Sequence, residues 1–365
     1  LSVSALDSVI GSGGNDAVRM MGGGTLNVDL IDTVIGGTST TDVVHLTSTT
    51  SLSVSNVETV QGTTDTTDAV RMLSAGTLAT SAVDSVTGTS GNADILQLAG
   101  SDGGAVSVSA IETVRGSAAT DSVTLLASGG IAVSGVESVI GTSGADSLVY
   151  QSGGTVSVSS IETVTGTTGT GDVAAIMAAG ATTLSVSGIE SVLGTTDQTE
   201  VVRMMQTGNL GASNVETVVG SATAGDVVRL LGDGNLTVSG VETAIGSTGN
   251  SDALTLLNSG VAVSAFESVT GTARADTVTM LGTDLSVSSV ETVLGSSGVD
   301  TLNYLANGTV AVSGVEVVVG LTSAGDVTRM LSTGALSASE IESVIGTTGT
   351  DTLTLVGSGV SASVS

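Results

Sequence analysis

Apolar and small polar residues alternate along this chain in short runs, and no run is long enough for an amphipathic helix. One stretch reads Thr155-Val156-Ser157-Val158-Ser159, then Ile161-Glu162-Thr163-Val164, then Gly166 and a polar turn, and closes with Asp172 and Val173 to Met177. The first and last runs alternate with period two, which is strand patterning with one buried face. The same three runs recur from end to end, marked by the string acid–Ser/Thr–Val–x–Gly. Its acid falls at Asp7, Asp32, Glu58, Asp84, Glu112, Glu137, Glu162, Glu190, Glu216, Glu242, Glu267, Glu291, Glu316 and Glu342, at intervals of 24 to 28 residues. A second acid follows each Gly by five or six residues, and four residues beyond it every repeat carries Met, Leu, Ile or Tyr.

Three short strands in about 26 residues, separated by Gly, Ser, Thr and Asn, predict an all-β fold, a parallel β-solenoid (β-helix). The spacing predicts about 14 coils of about 26 residues with three strands each, every strand pairing with its equivalent one coil away at about 4.8 Å. A single repeat cannot bury its apolar face alone, so residues 1–365 are expected to form one solenoid array. The residue after the Met/Leu/Ile/Tyr column is also apolar in most repeats (Met21, Leu73, Leu126, Met177, Met205, Leu231, Leu257, Leu281, Leu305, Leu331). Two readings are open for it: it fills a bend in the chain, or it forms an exposed apolar stripe that marks a lateral contact.

The second acids are Asp16, Asp42, Asp68, Asp94, Asp121, Asp146, Asp172, Glu200, Asp226, Asp252, Asp276, Asp300, Asp326 and Asp351. They close turns such as Gly141-Thr142-Ser143-Gly144-Ala145-Asp146-Ser147-Leu148-Val149, with close variants at 295–303 (GSSGVDTLN), 346–354 (GTTGTDTLT) and 11–19 (GSGGNDAVR). This turn resembles the RTX nonapeptide G-G-x-G-x-D-x-U-x of secreted bacterial β-roll proteins. The resemblance implies secretion by a bacterium and Ca²⁺ held by turn carbonyls and these fourteen acids. It covers about a third of each repeat. RTX nonapeptides run in tandem, whereas here one occurs per repeat; Arg274 replaces the inner Gly in one copy and Glu200 replaces Asp in another. Charge gives a separate reason to expect cations, because in-register stacking would place like charges about 4.8 Å apart, and Ca²⁺ prefers six to eight oxygen ligands. The competing reading is that these carboxylates cap turn N–H groups. The first acids are expected to be solvated.

Composition narrows the function. There are 35 acids against 7 Lys+Arg, all Arg, for a net charge of −28, which disfavours nucleic acid and anionic membrane as partners. No Cys is present, and the longest apolar runs (174–179, 317–319) are far too short to insert in a membrane. His45 is the only His, which excludes a His-based triad and a multi-His zinc site. The aromatics are only Tyr150, Phe266 and Tyr304, too few for a sugar platform. The acids are spread evenly rather than clustered in a cleft. An enzyme is therefore not expected. The chain opens at Leu1-Ser2-Val3-Ser4 and closes within 360–365, both inside strand-forming parts of the repeat, so uncapped edges are expected at both ends. Such edges suit head-to-tail and lateral pairing of the chain with itself. The expected function is structural: part of a rigid fibre on or outside a bacterial cell, or alternatively the Ca²⁺-stabilised stalk of a large RTX-type adhesin or surface-layer protein.

Overall fold

Val and Leu at every second position put one face of an extended segment into a core, while Ser, Thr and Asn face water. Each of the three apolar runs forms a strand for this reason. The computed structural model describes all residues except 49–50, 66, 92, 101–102, 178–182, 198, 259, 323–324, 358–362 and 365. Among the described residues every regular element is a β-strand. In the repeat quoted above the strands are Thr155–Ser159, Thr163–Thr165 and Val173–Ile176. Their inward residues Val156, Val158, Val164, Ala174 and Ile176 are buried. All neighbouring strands run parallel, so the fold is the all-β parallel solenoid that the patterning predicts.

The coil itself corrects the expectation of 14 three-stranded coils. There are about 19 turns of about 18 residues, each built from two strands. A strand does not pair with its equivalent in the next repeat. Thr155–Ser159 lies between Ser138–Ile140, the second strand of the preceding repeat, and Val173–Ile176, the third strand of its own. Thr163–Thr165 pairs with Ser147–Tyr150 on the other sheet. Successive strands thus alternate between two parallel sheets. One repeat takes one and a half turns, and two repeats complete three.

The connectors explain the difference. All three strands offer the same inward Val/Leu pattern, so the core accepts any of them stacked on any other. Between the first and second strand, however, the chain passes through a left-handed residue: Ser160 has φ 53°, and Asn56, Ala110 and Asn214 have φ 52°. That residue makes a sharp arc which sends the next strand back along the opposite sheet. The Gly ending the string acid–Ser/Thr–Val–x–Gly fits against this arc. A Cβ at Gly141 would overlap the carbonyl oxygen of Ser160, one turn further along.

The chain divides into two compact units, Leu1–Ala178 and Ala179–Ser365, each following this plan. The expectation for the C-terminal edge falls largely on 358–362 and 365, outside the described residues. Met20, Met72, Met204, Met280 and Met330 are buried in the core. The following column does not fill a bend: Met21, Leu73, Leu126 and Met177 are 62, 48, 55 and 45 % exposed. His45 lies half-buried on Asp42–Leu46, beside Asn27 and Gln61 of the adjacent strands.

Candidate functional site

The fourteen second acids are the residues that the sequence singles out, and the structure turns them inward. From Asp42 to Asp326 all twelve are buried; Asp16 and Asp351 are half-buried. A buried carboxylate must be hydrogen-bonded or paired to be tolerated. Asp146 shows how this is met. Its Oδ2 accepts from the backbone N–H of Thr142 at 2.6 Å and from the Thr142 hydroxyl at 2.8 Å. Its Oδ1 accepts from the N–H of Gly129, one turn earlier, at 2.8 Å. Its own N–H donates to Oε2 of Glu162, one turn later, at 2.7 Å, and its carbonyl accepts the N–H of Glu162 at 3.1 Å. One Asp therefore fastens three successive turns of the coil.

The bond between the second acid and the first acid of the next repeat recurs along the chain. Asp94 donates to Glu112, Asp121 to Glu137, Asp226 to Glu242 and Asp300 to Glu316, at 2.8 to 3.0 Å. The first acids are thus half of a latch rather than free solvated groups. The Ser or Thr that follows the motif Gly is the other missed partner, as Thr89 and Thr167 show for Asp94 and Asp172. Its signal was present in the sequence as a hydroxyl four or five residues before the acid.

The two-strand coil also removes the expected ladder of like charges. Acids of consecutive repeats fall on opposite edges. Asp94 and Asp146 share an edge but begin strands three apart in one sheet, about 14 Å. Gly-rich turns separate each carboxylate pair from the next.

Occupancy of Oδ1 differs between repeats. Gly104, Gly208 and Gly234 donate to Asp121, Asp226 and Asp252 as Gly129 does to Asp146. In Asp42, Asp94, Asp276 and Asp326 this buried oxygen has no hydrogen-bond partner among the described residues. Glu200, the one Glu in the column, reaches further and hydrogen-bonds to Glu216. Burial pushes the Glu216 carboxyl up, and its side-chain bond to Glu200 adds to this. Burial also acts upward on Glu200, but bonds from Thr195, Glu216 and Thr199 outweigh it and hold that group below its ordinary value. At the exposed end of the second unit, the N–H groups of Asp326 and Gly325 hold Glu342 below the usual carboxylate range, and the N–H of Thr347 does the same for Asp351.

The Oδ2 oxygens of these carboxylates, and Oδ1 in Asp121, Asp146, Asp226 and Asp252, meet N–H and O–H donors whose positive ends take the place a cation would occupy, whereas Ca²⁺ requires six to eight oxygens facing it. Among the described residues no group of three or more His, Cys, Asp or Glu is placed to hold a metal ion. The arrangement suits capping of turn amides and fastening of neighbouring turns. No family model, curated protein or solved structure matches this chain.

Proposed function

We propose that the chain is a load-bearing structural module, a segment of a rigid β-solenoid fibre or stalk outside a bacterial cell. The observation that carries this reading is the latch of Asp146, which binds three turns with five hydrogen bonds and has counterparts in repeat after repeat. Parallel ladders resist extension along the stacking axis only as well as their weakest turn-to-turn contact. A buried, charge-assisted bond at every repeat strengthens that contact where a surface pair would add little. The resemblance of the turns to RTX nonapeptides supports a secreted protein and leaves its Ca²⁺ chemistry aside. Pulling the full chain between its termini tests the reading. Replacing Asp121, Asp146 and Asp172 together by Ala should lower the rupture force of those turns and leave the others unchanged. An unaltered force profile would show that the latches carry no load.

A further inference from the structure

The two sheets of the unit Leu1–Ala178 present different outer faces. On the sheet that contains Ala17–Met20, Ala69–Met72, Asp121–Leu125 and Val173–Ile176, the residues following these strands are Met21, Leu73, Leu126 and Met177, each close to half exposed or more. Ile35 and Ile140 lie on the same face. On the opposite sheet the residues following the strands are Thr47, Ala99 and Gln151, and the short strands end in Ile10, Gln61, Arg115 and Thr165; Ile10 and Val149 are the exposed apolar residues of its strands. Within this unit the column that follows the strands is therefore apolar on one sheet and polar or small on the other.

We propose that this apolar face binds the same face of a second copy of the chain, as a two-fold, side-by-side dimer. Three features identify a second copy as the occupant. The first is spacing: Met21, Leu73, Leu126 and Met177 recur at every third strand of the sheet, about 14 Å apart. Serines lie in the gaps; Ser55 pairs with Ile35, and Ser159 with Ile140. A partner that meets every projecting side chain needs the same period, and this chain has it. A two-fold axis sets the projections of one copy against the gaps of the other.

The second feature is charge. In a chain of net charge −28, most surfaces of two copies repel. Among the described residues, the strands of this sheet in the first unit expose no carboxylate, since Asp121 is buried. Their only exposed charges are Arg19 and Arg71, which form no ion pair among the described residues. In a face-to-face pair both can reach the acid-lined edges of the facing copy. The opposite sheet carries Asp29 on its outer face.

The third feature is area. Eleven strands at about 4.8 Å and a width of about 15 Å give a face of roughly 800 Å², what each partner of a standard interface contributes. The inference stands on this face alone and does not depend on whether the module bears load or pairs at its ends.

Sedimentation velocity of the full chain over a concentration series tests it, with Leu73→Gln/Leu126→Gln as the variant. Both residues face water, so the fold should survive, and circular dichroism checks this. Thr47→Gln/Thr165→Gln on the opposite sheet is the control. The wild type and the control should form a closed dimer, and the double variant should weaken its dissociation constant about a hundredfold, about tenfold for each Leu. A wild type that stays monomeric throughout the series would overturn the proposal. So would a double variant that dimerises as the wild type does. An open-ended series of larger species, indifferent to Leu73→Gln/Leu126→Gln, would also overturn it while pointing to pairing at the chain ends.

Discussion

At the scale of single residues, Asp94 and Asp146 form a matched pair. Each accepts from a Thr backbone N–H at 2.6 Å and from the same Thr hydroxyl, but only Asp146 also accepts a Gly N–H on Oδ1. An Asn at 94 can keep its amide oxygen toward Thr89 and place its NH₂ where no donor points. An Asn at 146 must set its NH₂ against the N–H of Gly129. Asp146→Asn is therefore expected to cost about 1–3 kcal/mol more than Asp94→Asn in chemical denaturation. Acid sensitivity follows from the same bonds. Glu342 and Asp351 are held below their ordinary values of 4.5 and 3.8 by backbone N–H groups. A depressed carboxyl group contributes stability that is complete above its ordinary value and is lost as pH falls through its folded value. The thermal midpoint should drop as pH is lowered below about 4, and Glu342→Gln should flatten that drop; a midpoint that rises below this pH would contradict it. Glu216, pushed up by burial and by Glu200, carries the opposite sign. Glu216→Gln should raise the midpoint at pH 7, because the amide can donate to Glu200 where two carboxylates compete.

At the scale of the element, the strands were legible and their stacking was not. Val156, Val164 and Ala174 are the first inward residues of three strands with the same pattern, so apolar alternation predicts each strand but is indifferent to which one lies above it. The deciding feature is the left-handed residue two positions before each first acid. Ala, Asn, Ser, Gly and even Leu30 and Glu340 occupy it, at φ 52° and 55° for the last two, and such a mixture announces no sharp arc. The site was legible in the same uneven way. Both acid columns stood out by period, and capping was one of two open readings of the second. The partnership of Asp146 with Glu162 stayed hidden because it depends on a coil of two strands. The arc makes its own predictions. A non-Gly residue with left-handed φ costs about 1 kcal/mol, so Ala110→Gly should leave stability unchanged or raise it despite added chain entropy. Gly141→Ala should cost about 1–3 kcal/mol or more, since its Cβ meets the carbonyl of Ser160.

At the scale of the whole molecule, Ca²⁺ and coil geometry separate this account from the one suggested by turn sequence alone. Amide-capped carboxylates need no metal, so the thermal midpoint should be the same in EDTA and in millimolar Ca²⁺. A clear rise with Ca²⁺ would return the acids to a metal-binding role. The central claim is that one repeat takes one and a half turns of a two-sheet coil, and disulfide formation tests it most directly because the chain has no Cys. Val149 and Thr165 are register partners on adjacent strands. Ala175, which occupies the position equivalent to Val149 one repeat later, lies on the other sheet beside Ser157. Adjacent strands place Cα atoms at about 4.8 Å, within reach of a disulfide. The account predicts that the pair Val149→Cys/Thr165→Cys cross-links within the chain on oxidation while Val149→Cys/Ala175→Cys stays reduced. Cross-linking of the second pair and not the first would show three strands per coil and contradict it.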